Sequence, residues 1–267
     1  MRSGRTSPDP TASPLAIQAL TVVLLACAWE TIGRTGLLFP ELFPPLFEIV
    51  HSLGIYLTTG VMLPHLRASL YEVLGGLVVG LATGIPLGIV LGSRSSFIEV
   101  TEPIILYLAV IPKIVIFPIF ILFLGIGTES KLAVGAIASF FPIVLLTMAG
   151  MREVRPVYVD VARTLGARRL QIAKKVYLPA IAAPVFTGLR IGLGAAVTGA
   201  LLAETKIAKA GLGFMIVEYY SQFRLADMYA LLLLIFILAA LANWLMKALF
   251  AMLLPLPRTS QDPGLFF

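Results

Sequence analysis

Six stretches of the chain are apolar almost without interruption: Leu15 to Ile32, Leu70 to Gly92, Ile104 to Gly125, Leu132 to Gly150, Val185 to Ala203 and Met228 to Leu249. Each is close to the roughly 20 residues that carry an α-helix across bilayer hydrocarbon, so the pattern predicts six membrane-spanning helices. Between the first two, Leu37 to Leu66 is semi-apolar but broken by proline (Phe39-Pro40, Phe43-Pro44-Pro45), and is expected to lie along the interface rather than cross. Ser93 to Thr101 and Gly127 to Lys131 are short links that close two helical hairpins, whereas Met151 to Pro184 and Glu204 to Asp227 are longer polar loops. Met1 to Ser13 is polar and Pro-rich and is expected to be a disordered tail. The predicted organisation is a tail over 1–13, an all-α polytopic membrane domain over 14–254 with a long loop over 152–183, and a second tail over 255–267.

Composition supports this reading. Of 267 residues, 59% are hydrophobic and 13% charged, against about 45–50% and roughly 25% in soluble domains. A net charge of +6 raises nucleic acid as a partner, but topology accounts for most of it. With the N-terminus in the cytoplasm, Arg2, Arg5, Arg94, Arg152, Arg155, Arg163, Arg168, Arg169, Lys174, Lys175, Arg190, Lys247 and Arg258 fall inside. Arg34, Arg67, Lys131, Lys206, Lys209 and Arg224 fall outside. The bias places both termini in the cytoplasm of a multi-pass inner-membrane protein and removes the case for nucleic acid.

Little in the sequence suggests redox, metal or enzymatic chemistry. Cys27 is the single cysteine, and His51 and His65 lie far from it, so no metal cluster is expected. Leu24-Leu25-Ala26-Cys27 loosely matches a lipoprotein cleavage box, but the apolar segments that follow favour a small buried cysteine in a retained first span. No pair of carboxylates, histidine cluster or activated nucleophile stands out at membrane depth. Gly76, Gly80, Gly84, Gly88 and Gly92 recur every four residues and form one stripe, which lets another helix approach closely. Packing within one subunit is favoured over contact between subunits.

Charges inside spans point to function by default. Lys113 sits midway along the third span between Pro112 and Pro118, where a broken helix can line a cavity, and it is a candidate to draw anions through a pore. The competing reading is a structural pairing with a carboxylate or carbonyl. Glu204, beside Lys206 and Lys209, reads as part of an outer gate or docking surface, or as a solvated ion pair. Glu30 and Glu72 read as interfacial, and Arg190 as a side chain that snorkels to the cytoplasmic face.

The loop from Met151 to Pro184 is longer than a hairpin needs. Asp160 suits the first turn of a helix, Gly166 a sharp bend, and Pro179 a restricted entry to the fifth span. With Val161, Leu165, Leu170, Ile172 and Ala173 as apolar contacts, this reads as two short helices with a kink, docked on a membrane surface or on a protein. Six Lys and Arg residues from Arg163 to Arg190 would suit anionic lipid headgroups.

The same loop resembles the signature loop of bacterial ABC importer permeases. Asp160, Ala162, Gly166, Val176, Leu178 and Pro179 fall at its spacing, with Val161 in place of the usual Ala and Asp in place of the usual Glu. Leu165 and Ala167 flank the glycine. Ile111-Pro-Lys-Ile, Phe117-Pro-Ile-Phe-Ile-Leu-Phe-Leu-Gly-Ile-Gly127, Phe140-Phe-Pro142, Leu202-Ala-Glu204 and Gly211-Leu-Gly213 look like the branch serving sulfonates, taurine and nitrate. The resemblance implies a type I importer permease with cytoplasmic coupling helices, a homodimer of the chain, two ATPase subunits that bind ATP and Mg, and a periplasmic or lipid-anchored binding protein. It also implies a translocation path, for which Lys113, Pro112, Thr147 and Glu204 are the candidates. Where many relatives carry Asn before that Thr this chain has Leu146, which is expected to leave the pore less polar. No G-x-x-x-x-G-K-[ST] phosphate loop occurs, so ATP chemistry is expected in a partner. A sulfonate-like or nitrate-like anion is the expected cargo, with a thiamine-precursor-like or other heterocyclic nutrient as the alternative. A secondary transporter is the rival class, but neither internal repeats nor many intramembrane carboxylates are evident.

Overall fold

The computed structural model describes residues 14–36 and 42–253, so both expected tails and Phe39-Pro40 lie outside the described residues. The elements are α1 (Pro14–Thr35), α2 (Leu46–Thr59), α3 (Leu63–Gly92), α4 (Ser95–Val110), α5 (Phe117–Leu124), α6 (Thr128–Glu153), α7 (Pro156–Thr164), α8 (Arg169–Ile172), α9 (Leu178–Lys206), α10 (Leu212–Ser221) and α11 (Leu225–Leu253). No strand occurs among the described residues.

Among the described residues, five helices are long and apolar enough to cross a membrane: α1, α3, α6, α9 and α11. The third predicted span is broken. Its two helical parts meet at 81°, so six spans result when the bent pair counts as one. Pro112 has no N–H to continue α4, and Ile111 before it is held extended at φ −60° and ψ 126°. A single 3₁₀ turn, Lys113–Ile116, then leads into α5, with Pro118 in its first turn. The linker expected over Ser93 to Thr101 shrinks to Ser93 and Arg94, because α4 begins at Ser95. The expected interfacial segment becomes α2 and the start of α3, and α2 packs with α10 and α11 around Ile49, Leu53, Tyr56, Met215 and Leu231.

Helices α3, α6 and α9 form the centre of the bundle. The glycine stripe faces α6 within the same chain: a Cβ on Gly76 would stand 2.9 Å from Ala136 N and Leu132 O, and one on Gly88 2.9 Å from Val144 O. Gly80, Gly84 and Gly92 meet Ser139, Ile143 and Met151 in the same row. The two backbones are too close for any side chain between them, which is how helices gain packing energy where no hydrophobic effect drives them together. Gly76→Leu is therefore expected to abolish recovery of folded protein from membranes. Gly76→Ala should lower the thermal midpoint in detergent, at a cost of about 1–3 kcal/mol. Equal midpoints for Gly76→Ala and the parent chain would contradict this packing.

Candidate functional site

A cavity of about 630 Å³ opens where the third span breaks. Its walls include Ile111, Pro112, Lys113, Phe141, Gly194 and Thr198. The apolar character of most of these side chains leaves Lys113 and Thr198 as the polar features. Lys113 donates to the carbonyls of Leu108 (3.2 Å), Ala109 (2.6 Å) and Ile111 (2.6 Å), and its Nζ lies 4.5 Å from the Phe141 ring centroid. These carbonyls belong to the last turn of α4 and the residue after it, where Pro112 removes the next intrahelical donor. All three ammonium hydrogens are engaged. Lys113 thus closes the helix end, as the structural reading held, while its charge still stands at the cavity wall.

Two other expected path residues are elsewhere. Thr147 is fully buried, donates to the Ile143 carbonyl at 2.7 Å and packs against Gly88. Leu146 meets Gly188 of α9 instead of lining the cavity, so the departure at that position does not change cavity polarity. Arg190, expected to snorkel, donates from Nε to Asn243 of α11 at 2.6 Å.

Glu204 is 1% exposed and not a solvated partner of Lys206 and Lys209. One carboxylate oxygen accepts from Ser69 Oγ at 2.6 Å and the other from the Gly213 N–H at 2.6 Å. Ser69 Oγ accepts in turn from the Leu212 N–H at 2.8 Å, and His65 Nδ1 from the Gly211 N–H at 3.3 Å. These are the free N–H groups at the start of α10, where an anion is favoured by the helix dipole. Gly211, at φ 124°, and Gly213, whose Cβ would stand 2.5 Å from Leu201 O, let the backbone descend onto the carboxylate.

Glu72 is also wholly buried rather than solvated, and lies one turn along α3 from the Ser69 that bonds Glu204. Its Oε1 is 3.4 Å from Lys131 Nζ, which also donates to the Gly127 carbonyl at 3.0 Å. Its Oε2 receives no donor. A buried cluster of two carboxyls, Glu72 and Glu204, with the Lys131 ammonium beside Glu72, therefore lies toward one end of the central helices, where the sequence suggests only interfacial or solvated charges. It joins α3, α6, α9 and α10 and does not line the cavity. Sequence contained one signal for it: ionisable residues close to the same end of three consecutive helices of the central bundle.

The long loop is resolved into α7, a bend, α8 and a π turn over Ala173–Tyr177. Asp160 lies mid-way along α7 rather than in its first turn, which begins at Pro156, and pairs with Arg163 at 3.5 Å. Gly166 has φ 76°, with the N–H of Ala167 bonded to Ala162 O (3.0 Å) and its own N–H to Arg163 O (2.9 Å). This paired closure of a helix end requires a residue at ease in the left-handed region, which explains Gly166, while Ala162 and Ala167 contribute only their backbone groups. Pro179 cannot donate to Lys175 O, and the Leu178 N–H reaches back to Ala173 O instead, giving the π turn beside Val176. Val159 and Ile172 are buried, while Val161, Leu165, Leu170 and Leu178 point outward; Leu165 is 81% exposed. Helix α9 then begins at Leu178, so Pro184, expected to end the loop, lies inside it. No group of His, Cys, Asp or Glu able to hold a metal occurs among the described residues.

A bundle of membrane-length helices with one broken span, a cavity at the break and two short helices presenting apolar side chains outside it defines a multi-pass transport subunit. The chain belongs to the family of binding-protein-dependent transport system inner membrane components, whose model matches residues 84–258. It is 30% identical over 214 residues to the taurine transport system permease protein TauC of Escherichia coli, covering 78% of this chain and 77% of that one. It is 32% identical to the formylaminopyrimidine transport permease protein ThiX of Halalkalibacterium halodurans, over 63% of this chain and 69% of the relative. The nitrate import permease protein NrtB of Synechocystis is 30% identical over 63% and 62%. A chain of the MetNI methionine ABC transporter in an inward-facing form shares the fold, with a TM-score of 0.63 at 20% identity, covering 70% of this chain and 94% of that chain. The chain is thus an ABC importer permease of type I fold, a non-enzymatic membrane subunit of a binding-protein-dependent system in which a separate ATPase hydrolyses ATP.

Proposed function

We propose that two copies of this chain form the path of an importer for a small anion, with both termini in the cytoplasm and α7–α8 as the coupling helices of each copy. The observation that carries the cargo reading is the Lys113 ammonium at the wall of the apolar cavity. Its hydrogens are engaged by carbonyls, so it acts through its field: a cation in a low-dielectric wall raises the local concentration of anions without binding one directly. NrtB, named for nitrate, supports the same charge class, and TauC, named for taurine, supports a solute that carries an anionic sulfonate group within a zwitterion. ThiX, named for a formylaminopyrimidine, supports a heterocyclic cargo as the second reading, and the largely apolar lining of the cavity suits one.

The outward apolar residues of α7 and α8 support docking on a protein. Thr147 and Glu204 take no part in the path on this reading, which rests on Lys113 and Pro112. The test is a substrate screen of the permease reconstituted with its ATPase and binding protein. Sulfonates or nitrate should stimulate ATP hydrolysis, and Lys113→Gln should lower that stimulation about tenfold, the effect of roughly 1.4 kcal/mol of lost attraction. Stimulation by an uncharged pyrimidine, unaltered in Lys113→Gln, would replace the anion with the heterocycle.

A further inference from the structure

Glycine inside a helix is the least favourable residue after proline and needs a reason. Three glycines of α9 have one. A Cβ on Gly188 would lie 3.2 Å from Ile143 Cα, one on Gly192 3.0 Å from Ile143 Cδ1, and one on Gly199 3.1 Å from Ala138 Cβ, so all three admit α6. Gly194 has no such reason. A Cβ there would meet nothing within 4 Å, and its φ is not in the left-handed region. Among the described glycines of the membrane-length helices, it alone lacks both a close neighbour and a special backbone conformation.

What Gly194 does face is the cavity. Ile191, Gly194, Thr198 and Leu202 recur at helical spacing along the wall that α9 contributes to the cavity, which Ile111, Pro112 and Lys113 also line. Any larger residue at 194 would project into the space between that wall and the break in the third span. We propose that Gly194 is a specificity-setting position of the translocation path: its missing side chain supplies the width through which the solute passes Lys113. This rests on the permease reading and adds a size limit to the charge selection assigned to Lys113. Thr198, whose hydroxyl hydrogen is held by the Gly194 carbonyl at 3.0 Å, offers oxygen lone pairs one turn further along.

The test uses thiol labelling, which needs no knowledge of the cargo. In a Cys27→Ser background, Gly194→Cys and Val78→Cys are each assembled with the ATPase and binding protein in vesicles. Val78 is likewise exposed within the chain, on α3, but lines none of this cavity. Small hydrophilic methanethiosulfonates should modify Gly194→Cys at least about tenfold faster than Val78→Cys, because a thiol reacts as the thiolate and forms it only where water reaches. Modification should block substrate-stimulated ATP hydrolysis, and the larger the attached group the more complete the block.

Gly194→Leu should assemble normally and lose transport, whereas Gly194→Ala should keep it for the smallest solutes. Labelling no faster than at Val78, or full transport in Gly194→Leu, would overturn the proposal. Loss of assembly in both Gly194→Ala and Gly194→Leu would also overturn it, by making the position a packing contact. Rates normalised to a free thiol in solution separate the two readings. Fast labelling with no preference for an anionic over a cationic reagent supports the role of Gly194 and counts against the anion reading alone.

Discussion

Glu204→Ala is expected to prevent the permease from accumulating as a stable complex. The carboxylate accepts from Ser69 and from the Gly213 backbone in a site with 1% exposure, and alanine leaves both donors without this acceptor. Removing one member of a buried charged network costs about 3–5 kcal/mol, a large part of the 5–15 or so that holds a typical domain together. The loss falls on α10, whose first N–H groups would face a cavity. Glu72→Gln should be much milder. The amide keeps an oxygen for the Lys131 ammonium, and Oε2 receives no donor that could be lost, so the substitution removes no hydrogen bond. Thermal midpoints of the purified variants check this. A Glu204→Ala midpoint equal to the parent's, or a Glu72→Gln loss as large as Glu204→Ala, would remove Glu204 from its place as the anchor of α10.

Gly166→Val is expected to leave assembly largely intact and to uncouple ATP hydrolysis from transport. No neighbour lies within 4 Å of a Cβ at 166, so bulk alone is harmless there. The cost comes from φ 76°, where an L-residue loses about 1–2 kcal/mol and a β-branched one is least tolerated. The chain escapes by opening the closure between Ala162 and Ala167, which re-aims α8 and the outward Leu165 and Leu170 relative to α7. Gly166→Asn, able to occupy that region, should retain most coupling. The readout is the ratio of solute transported to ATP hydrolysed in reconstituted vesicles. A ratio unchanged in Gly166→Val would show that the geometry of this bend does not transmit the drive.

The spans were legible because each is decided by its own residues: a long apolar run has to be helical in a bilayer, whatever its neighbours do. The break in the third span was visible in Pro112 and Pro118, and Lys113 in its charge. The facing of side chains was not. Helices α3, α6 and α9 are apolar nearly all round, so nothing in their pattern says which side meets a partner, and Thr147 and Leu146 could be assigned to the pore although they face α3 and α9. The cluster of Glu72, Lys131 and Glu204 was hidden for a different reason. Its members come from helices far apart in sequence, and each alone, near a span end, reads as a separate charge: Glu72 as interfacial, Lys131 as an outside loop charge, and Glu204 as part of a gate or docking surface or a solvated ion pair. The glycine stripe was legible as a close approach, and the structure supplied its partner, α6.

The central claim is that a separate ATPase drives this permease through α7 and α8. The most direct measurement is co-purification of the full chain with its P-loop ATPase, compared with a Leu165→Asp, Leu170→Asp double variant. Both side chains are exposed and neither supports the bundle, so the variant permease should fold and insert as the parent does. The parent chain should retain the ATPase through purification and the double variant should lose it. Equal retention by the variant, with transport still coupled to ATP hydrolysis, would contradict the account.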